Sequence, residues 1–182
     1  MNLWHDVPLG NKAPEEFNCI IEIPKGSPNK YEIDKDTGLI ALDRANYTAA
    51  AYPCDYAFAP QTLWDDNDAL DVIVLSSFPL AVGVLVTVRP VAVMEMIDTG
   101  ESDFKIIAVP VDDRRWEHVQ DLDDVNPHSL REYAHFFETY KALKGESPDD
   151  YPVTVQGFKG KKEAIEAVEK SIKLYAEKFG KK

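Results

Sequence analysis

Cysteine is scarce: Cys19 and Cys54 are the only two thiols among 182 residues. With no CxxC spacing around them, they exclude a disulfide framework and a zinc or dithiol motif, so a reduced, cytoplasmic setting is expected. Long apolar runs are missing too. The longest, Val72 to Val88, is broken by Ser76-Ser77, Pro79 and Gly83 and reads as two strands around a turn, not a membrane span. The opening MNLWHDVPLG has no basic stretch followed by an apolar one, so it does not read as a secretory signal. Basic residues are outnumbered, 20 Lys and Arg against 32 Asp and Glu, and the net charge of −12 opposes a nonspecific footprint on nucleic acid or anionic lipid. There is no Walker A loop, GxGxxG, GxSxG elbow or HExxH, which leaves nucleotide binding, serine nucleophile chemistry and zincin chemistry unsupported.

What is present suits one soluble domain over residues 1–182, since 45% of residues are hydrophobic and 10% aromatic, enough for a sizeable core. Short β-branched and aromatic runs predict strands at Phe17–Ile23, Lys30–Ile33, Leu39–Leu42, Tyr56–Ala59, Val72–Leu75, Val82–Met96 and Phe104–Val109. Their separators, such as Asp36-Thr37-Gly38 and Asp98-Thr99-Gly100, are turn-formers, and the close spacing predicts an antiparallel sheet or a small barrel. Periodicity then changes. Leu130, Tyr133, Phe137 and Tyr140 step by three and four behind the Asn126-Pro127 start signal, predicting a helix closed by Gly145. A short strand near Val153–Val155 precedes a second helix, striped by Ile165, Val168, Ile172, Tyr175 and Phe179 and ended by Gly180. The expected fold class is α+β, β-rich, with late helices packed on the strands.

The strongest chemical signal is Asp65-Asp66-Asn67-Asp68-Ala69-Leu70-Asp71-Val72, where four carboxylates crowd before a strand and their repulsion has to be offset. Two readings fit, a solvated acidic turn or an all-oxygen site for Mg²⁺, Mn²⁺ or Ca²⁺. An EF-hand does not, because Leu70 and Asp71 fall where that loop needs a ligand and a glycine. Glu22 and Glu32 sit inside predicted strands, an unusual place for a carboxylate unless it faces solvent or a site. Lys30, Arg44, Tyr52, Tyr56, Lys105, Tyr140 and Lys141 are interleaved among the same segments, and together they are suited to phosphate held with metal.

In order along the chain, Ile21-Glu22-Ile23-Pro24, Lys30-Tyr31-Glu32-Ile33-Asp34, Asp43-Arg44, Tyr52-Pro53-Cys54-Asp55-Tyr56, Asp66 to Val72, Asp98 to Lys105 and His135 to Lys141 resemble the soluble (family I) inorganic pyrophosphatases. The length resembles the short prokaryotic branch. That resemblance implies an OB-like five-stranded β-barrel with flanking C-terminal helices, assembled as a homohexamer. It implies Asp66, Asp71, Asp98 and Asp103 as metal ligands, with Glu22 and Glu32 as outer or water-mediated ones. Asp68 resembles the carboxylate that takes a proton from the attacking water, and Tyr56 is carried with it as a catalytic group. Lys30, Arg44, Lys105, Tyr140 and Lys141 resemble the groups that grip two phosphates, with Tyr52 and Tyr56 in support. Ala69 stands where the family usually has Pro or Glu, and Thr99 where some members carry Glu.

The function so implied is metal-dependent hydrolysis of pyrophosphate to two phosphates, with Mg²⁺ as cofactor and Mn²⁺ or another divalent cation as a substitute. No nucleic-acid or membrane partner is expected. The alternative is a non-catalytic module of the same OB-like barrel that binds divalent metal and polyanions.

Overall fold

The structure is a computed structural model that describes residues 1–180. Along the chain run β1 (Phe17–Ile23), β2 (Asn29–Ile33), β3 (Ile40–Ala45), β4 (Asp55–Phe58), β5 (Asp71–Val74), β6 (Leu85–Asp98), β7 (Glu101–Ser102), β8 (Lys105–Pro110), α1 (Pro127–Thr139), β9 (Val153–Gly160) and α2 (Lys161–Phe179). Strands β1, β4, β5, β8 and β6 pair in that order, and β6 returns to β1, closing a five-stranded ring. The expected barrel with late helices is therefore the observed one, and closure leaves those five strands without a free edge.

Residues alternate between two packed faces, as a pleated strand requires. Ile23, Tyr56, Ile73 and Ile107 share one cluster with Tyr133, Phe136 and Phe137 of α1. Ile21, Ala57, Val72, Ile106 and Ala108 share the other with Ala164, Ala167 and Val168 of α2. A third, smaller cluster joins Trp4, Ile20, Phe58 and Leu63 to the far end of α2.

Three features depart from the pattern read in the sequence. First, β5 and β8 run parallel, with Asp71 opposite Lys105 and Val72 opposite Ile106. The long β6 causes this: it pairs with β1, β8 and β9 in turn and reverses the chain before β8 returns beside β5. The two strands read within Val72–Val88 are accordingly not neighbours. Second, α1 stops at Thr139, and Gly145 lies beyond it. Turns closed by Ala142 N–H to Thr139 and Lys144 N–H to Lys141, both at 2.9 Å, follow the helix. Gly145 serves a different need, since a Cβ there would collide with the Asp150 carboxylate. Third, β2 and β3 form a separate hairpin outside the ring.

That hairpin is tied down elsewhere. Leu3 N–H donates to the Gly38 carbonyl at 3.1 Å, and Ile33 N–H donates to the Glu22 carboxylate at 2.7 Å. Gly38 has φ +71°, and an added Cβ would lie 2.5 Å from the Asn2 Cα, so glycine is required for the N-terminal turn to seat there. Two β-bulges place site residues. Glu22 is the extra residue of β1 against β4, and Asp43 is the extra residue of β3 against β2. Such bulges re-aim side chains beside functional sites.

Candidate active site

A cleft of about 650 Å³ opens between the ring, the β2–β3 hairpin, the 65–71 segment and the end of α1, and every site residue nominated from the sequence lines it.

At its base lies Lys105, 2% exposed. Parallel register puts it beside Asp71, whose carboxylate it meets at 2.7 Å, and it also donates to Asp103 at 2.8 Å and the Tyr56 hydroxyl at 2.8 Å. Tyr56 in turn donates to Asp71. The ammonium stands 5.2 and 5.3 Å from the Tyr56 and Phe137 ring centres. Burial alone would push the Lys105 ammonium down, but the negative charges of Asp103 and Asp71 reverse this and hold it well above its ordinary value. Asp103 is raised by its own burial and, despite Lys105, by Asp71.

The hairpin supplies a second charged group. Lys30 pairs with Glu32 and, at 2.9 Å, with Asp43, which also pairs with Arg44. Lys30 and Arg44 are cross-strand partners, so the bulge at Asp43 lets one carboxylate serve both. Arg44 stacks 5.1 Å from the Tyr47 ring and 6.0 Å from Tyr140, while its Nε and one terminal nitrogen are buried and bond to nothing among the described residues. A half-buried guanidinium with orphaned N–H groups is a ready anion receptor. Tyr52 packs beneath at 2% exposure, 4.7 Å from the Phe136 ring. Behind the hairpin, Glu22 is 5% exposed and its carboxyl is raised well above the usual range, first by burial and then by Asp71.

The acidic turn forms the opposite wall. Trp64 N–H donates to the Asp68 carbonyl at 2.7 Å, Asn67 takes φ 68°, and Asp68 N–H donates to the Asp66 carboxylate at 3.0 Å. Asn tolerates this left-handed conformation better than most residues. Asp66 is pushed up to about 7, chiefly by burial and then by Asp71, Asp103 and Asp68. Asp68 is half-exposed and pairs with Lys35 at 2.6 Å. Across the cleft Lys141 pairs with Asp98; burial pulls that carboxyl upward, and Lys141 more than offsets it, leaving it below its ordinary range. Thr99 Oγ1 also donates to Asp98 at 2.8 Å.

Sequence reasoning left Lys35 and Lys144, which line the same cleft, without a role. Asp43 entered only as a motif neighbour of Arg44. The bulge that gives Asp43 two partners has no local signature, and Lys35 meets Asp68 only through folding.

Among the described residues, no three carboxylates form a tight preformed metal cage. Asp71 and Asp103 are each bonded to Lys105. The donor set still fits hard divalent cations, because it is all oxygen and gathers Asp66, Asp68, Asp71 and Asp103 on one cleft. Mg²⁺ in particular keeps several waters, so it does not need close protein ligands on every side.

A cleft lined by carboxylates on one wall and by Arg, Lys and Tyr donors on the other, set against a closed β ring, defines a protein that handles a phosphate anion together with divalent metal. The inorganic pyrophosphatase family profile matches residues 19–176. The chain is 46% identical over 174 residues to a soluble inorganic pyrophosphatase of Arabidopsis thaliana, covering 96% of this chain and 80% of that one. It is 44% identical over 179 residues to the inorganic pyrophosphatase of Haloferax volcanii, covering 98% and 99%. The crystal structure of inorganic pyrophosphatase from Thermus thermophilus superposes with a TM-score of 0.91 at 46% identity, covering 96% and 99%. The chain belongs to the inorganic pyrophosphatase family, in its soluble, family I branch. That family is metal-dependent.

Proposed function

We propose that this chain hydrolyses inorganic pyrophosphate to two phosphates with Mg²⁺, by direct attack of water on phosphorus. One observation carries the reading: Asp66, Asp68, Asp71, Asp98 and Asp103 share a single cleft with Lys30, Arg44, Lys105, Tyr140 and Lys141. A polyanion entering the carboxylate wall of a −12 protein needs that mixture of charge. Asp66, Asp71, Asp98 and Asp103 would hold the cations, with Glu22 and Glu32 as outer ligands. Divalent ions, when bound, neutralise phosphate charge and lower the pKa of the attacking water.

The chain's own groups do the rest. Asp68, exposed to the cleft and free of a buried pairing, accepts the proton from water. Arg44 offers its orphaned N–H groups to one phosphate, and Lys30, Lys141 and Tyr140 complete the grip. Lys105 and Tyr56 fix Asp71, and the Lys105 ammonium places positive charge where negative charge builds on the departing phosphate. A loose phosphoryl-transfer transition state needs little beyond positioning and charge stabilisation. A non-catalytic binding module is not favoured, because the proposed proton acceptor and the phosphate grip stand together in one cleft.

The homohexamer and the cytoplasmic setting belong to the same reading; the buried free thiols Cys19 and Cys54 support a reducing compartment. Among the described residues, no helix is long and apolar enough to cross a membrane. The test is phosphate release from pyrophosphate by purified protein, with Mg²⁺ or with chelator, against ATP and a phosphomonoester. Mg²⁺-dependent, pyrophosphate-selective release is expected; no release from folded protein in Mg²⁺ or Mn²⁺ overturns the reading.

A further inference from the structure

Two residues of the acidic turn, Asp65 and Asn67, have no part in the proposed chemistry, yet each is gripped from α2. Lys170 pairs with the Asp65 carboxylate at 2.6 Å while its ammonium stands 4.3 Å above the centre of the Trp64 ring. Two helical turns further on, Lys178 donates to the Asn67 side-chain oxygen at 2.9 Å. Between them, Leu63 N–H donates to the Ser171 carbonyl at 3.0 Å, so the backbone before the turn is bonded to the helix as well. Ser171 is fully buried, and Leu174 and Tyr175 pack against the third hydrophobic cluster, which anchors this stretch of helix.

We infer that Lys170 and Lys178 are positioning residues for the reaction: through Asp65 and Asn67, α2 sets the direction in which Asp66 and Asp68 enter the cleft. The inference rests on the roles given above to those two carboxylates. Turn residues alternate in task, with odd-numbered Asp65 and Asn67 held from behind and even-numbered Asp66 and Asp68 lining the cleft. Asn67 is the pivot, since its left-handed φ of 68° orients the peptide that leads into Asp68. A side chain bonded to Lys178 keeps that conformer while leaving the backbone to complete the turn.

A role in charge balance alone makes the opposite forecast to positioning. Removing a lysine from beside an acidic site tightens cation binding if charge is all that matters, and loosens it if geometry is lost. The experiment is a double-mutant cycle of Lys178→Met and Asn67→Gly, where glycine keeps the positive φ and deletes the anchor. Lys170→Met and the rescue variant Lys178→Arg accompany it. Each protein is titrated calorimetrically with Mn²⁺ alone, and kcat and KM for pyrophosphate are measured separately.

Lys178→Met and Asn67→Gly should each weaken Mn²⁺ binding and lower kcat by about fivefold, the scale of one exposed charged contact, with KM little changed. The double variant should be no worse than either single one, Lys170→Met should weaken Mn²⁺ binding, and Lys178→Arg should recover most of both properties. Additive losses, tighter Mn²⁺ binding in the lysine variants, or wild-type values throughout overturn the inference. The two readings separate cleanly. Wild-type protein that binds Mn²⁺ with this coupling but releases no phosphate upholds the strut and refutes the enzyme, whereas active variants indistinguishable from wild type do the reverse.

Discussion

Replacing Lys105 by Met tests the centre of the site most directly. Met is close in length and apolar, so it fills the space between the Tyr56 and Phe137 rings while deleting the charge. In chelator, Asp71 and Asp103 are then left without the ammonium that meets them at 2.7 and 2.8 Å. Removing one partner of a buried ion pair destabilises by about 3–5 kcal/mol. For a chain of this size each kcal/mol moves the midpoint by roughly 2–4 °C, so the thermal midpoint should fall by about 10 °C.

Two conditions narrow that deficit. With Asp71 and Asp103 as the proposed cation ligands, saturating Mg²⁺ would supply positive charge to the same carboxylates, so the variant should gain more from the ion than wild type does. Acid should narrow it too, because Asp103, its carboxyl already raised, is neutralised as pH falls. The lysine's own sign agrees. With its folded value raised above the unfolded one, its contribution is complete below the ordinary lysine pKa and is lost only in strong alkali. Thermal unfolding followed by circular dichroism, with chelator and with Mg²⁺ across a pH series, measures all of this. An unchanged midpoint in chelator, or a deficit of the same size with and without Mg²⁺, would refute the reasoning.

Asp68→Asn should lose nearly all turnover yet retain Mn²⁺ binding, whereas Asp71→Asn should weaken Mn²⁺ binding itself; calorimetry beside kcat separates the two, and full activity in Asp68→Asn removes it as proton acceptor. Asp66 is raised to about 7, so its ionisation destabilises the metal-free fold as pH rises from its unfolded value near 4 through 7. Asp66→Asn in chelator should therefore gain about 1–2 kcal/mol at pH 8, after allowance for its partial exposure, and the gain should vanish towards pH 4 in denaturant titrations. Gly38→Ala meets both a positive φ and the Asn2 backbone, and should cost about 2 kcal/mol, seen as a lower urea midpoint; wild-type stability would mean that the N-terminal turn is not seated as described.

Local chemistry carried much of this structure into the sequence. Phe17–Ile23 reads as a strand because its β-branched and aromatic residues suit a pleated, buried surface, and Asn126-Pro127 marks the start of α1 because it caps the first turn. The end of α1 was not legible: Tyr140 and Lys141 keep the helical spacing of apolar and charged residues, but they are drawn into the cleft instead. Nor was the parallel β5–β8 pairing, since partner choice depends on the path of β6 rather than on any residue in either strand. The residues that line the cleft were readable as an ordered set of motifs. Their supports were not, because Lys35, Lys170 and Lys178 are ordinary exposed lysines until folding brings them to one turn.

The pairing of Asp71 with Lys105 has a consequence for how the chain reaches its native state. Those two residues face each other across the parallel β5–β8 ladder. Sliding one strand by a single position would turn Lys105 towards the opposite, wholly apolar face and bury an ammonium among Val, Ala and Ile side chains. Misregistered molecules are therefore penalised by the same lysine that holds Asp71 and Asp103 at the base of the cleft. The ion pair at the base of the cleft thus acts as a proofreader of β5–β8 alignment: a chain that has brought Lys105 to Asp71 has, by that fact, set those two strands in register.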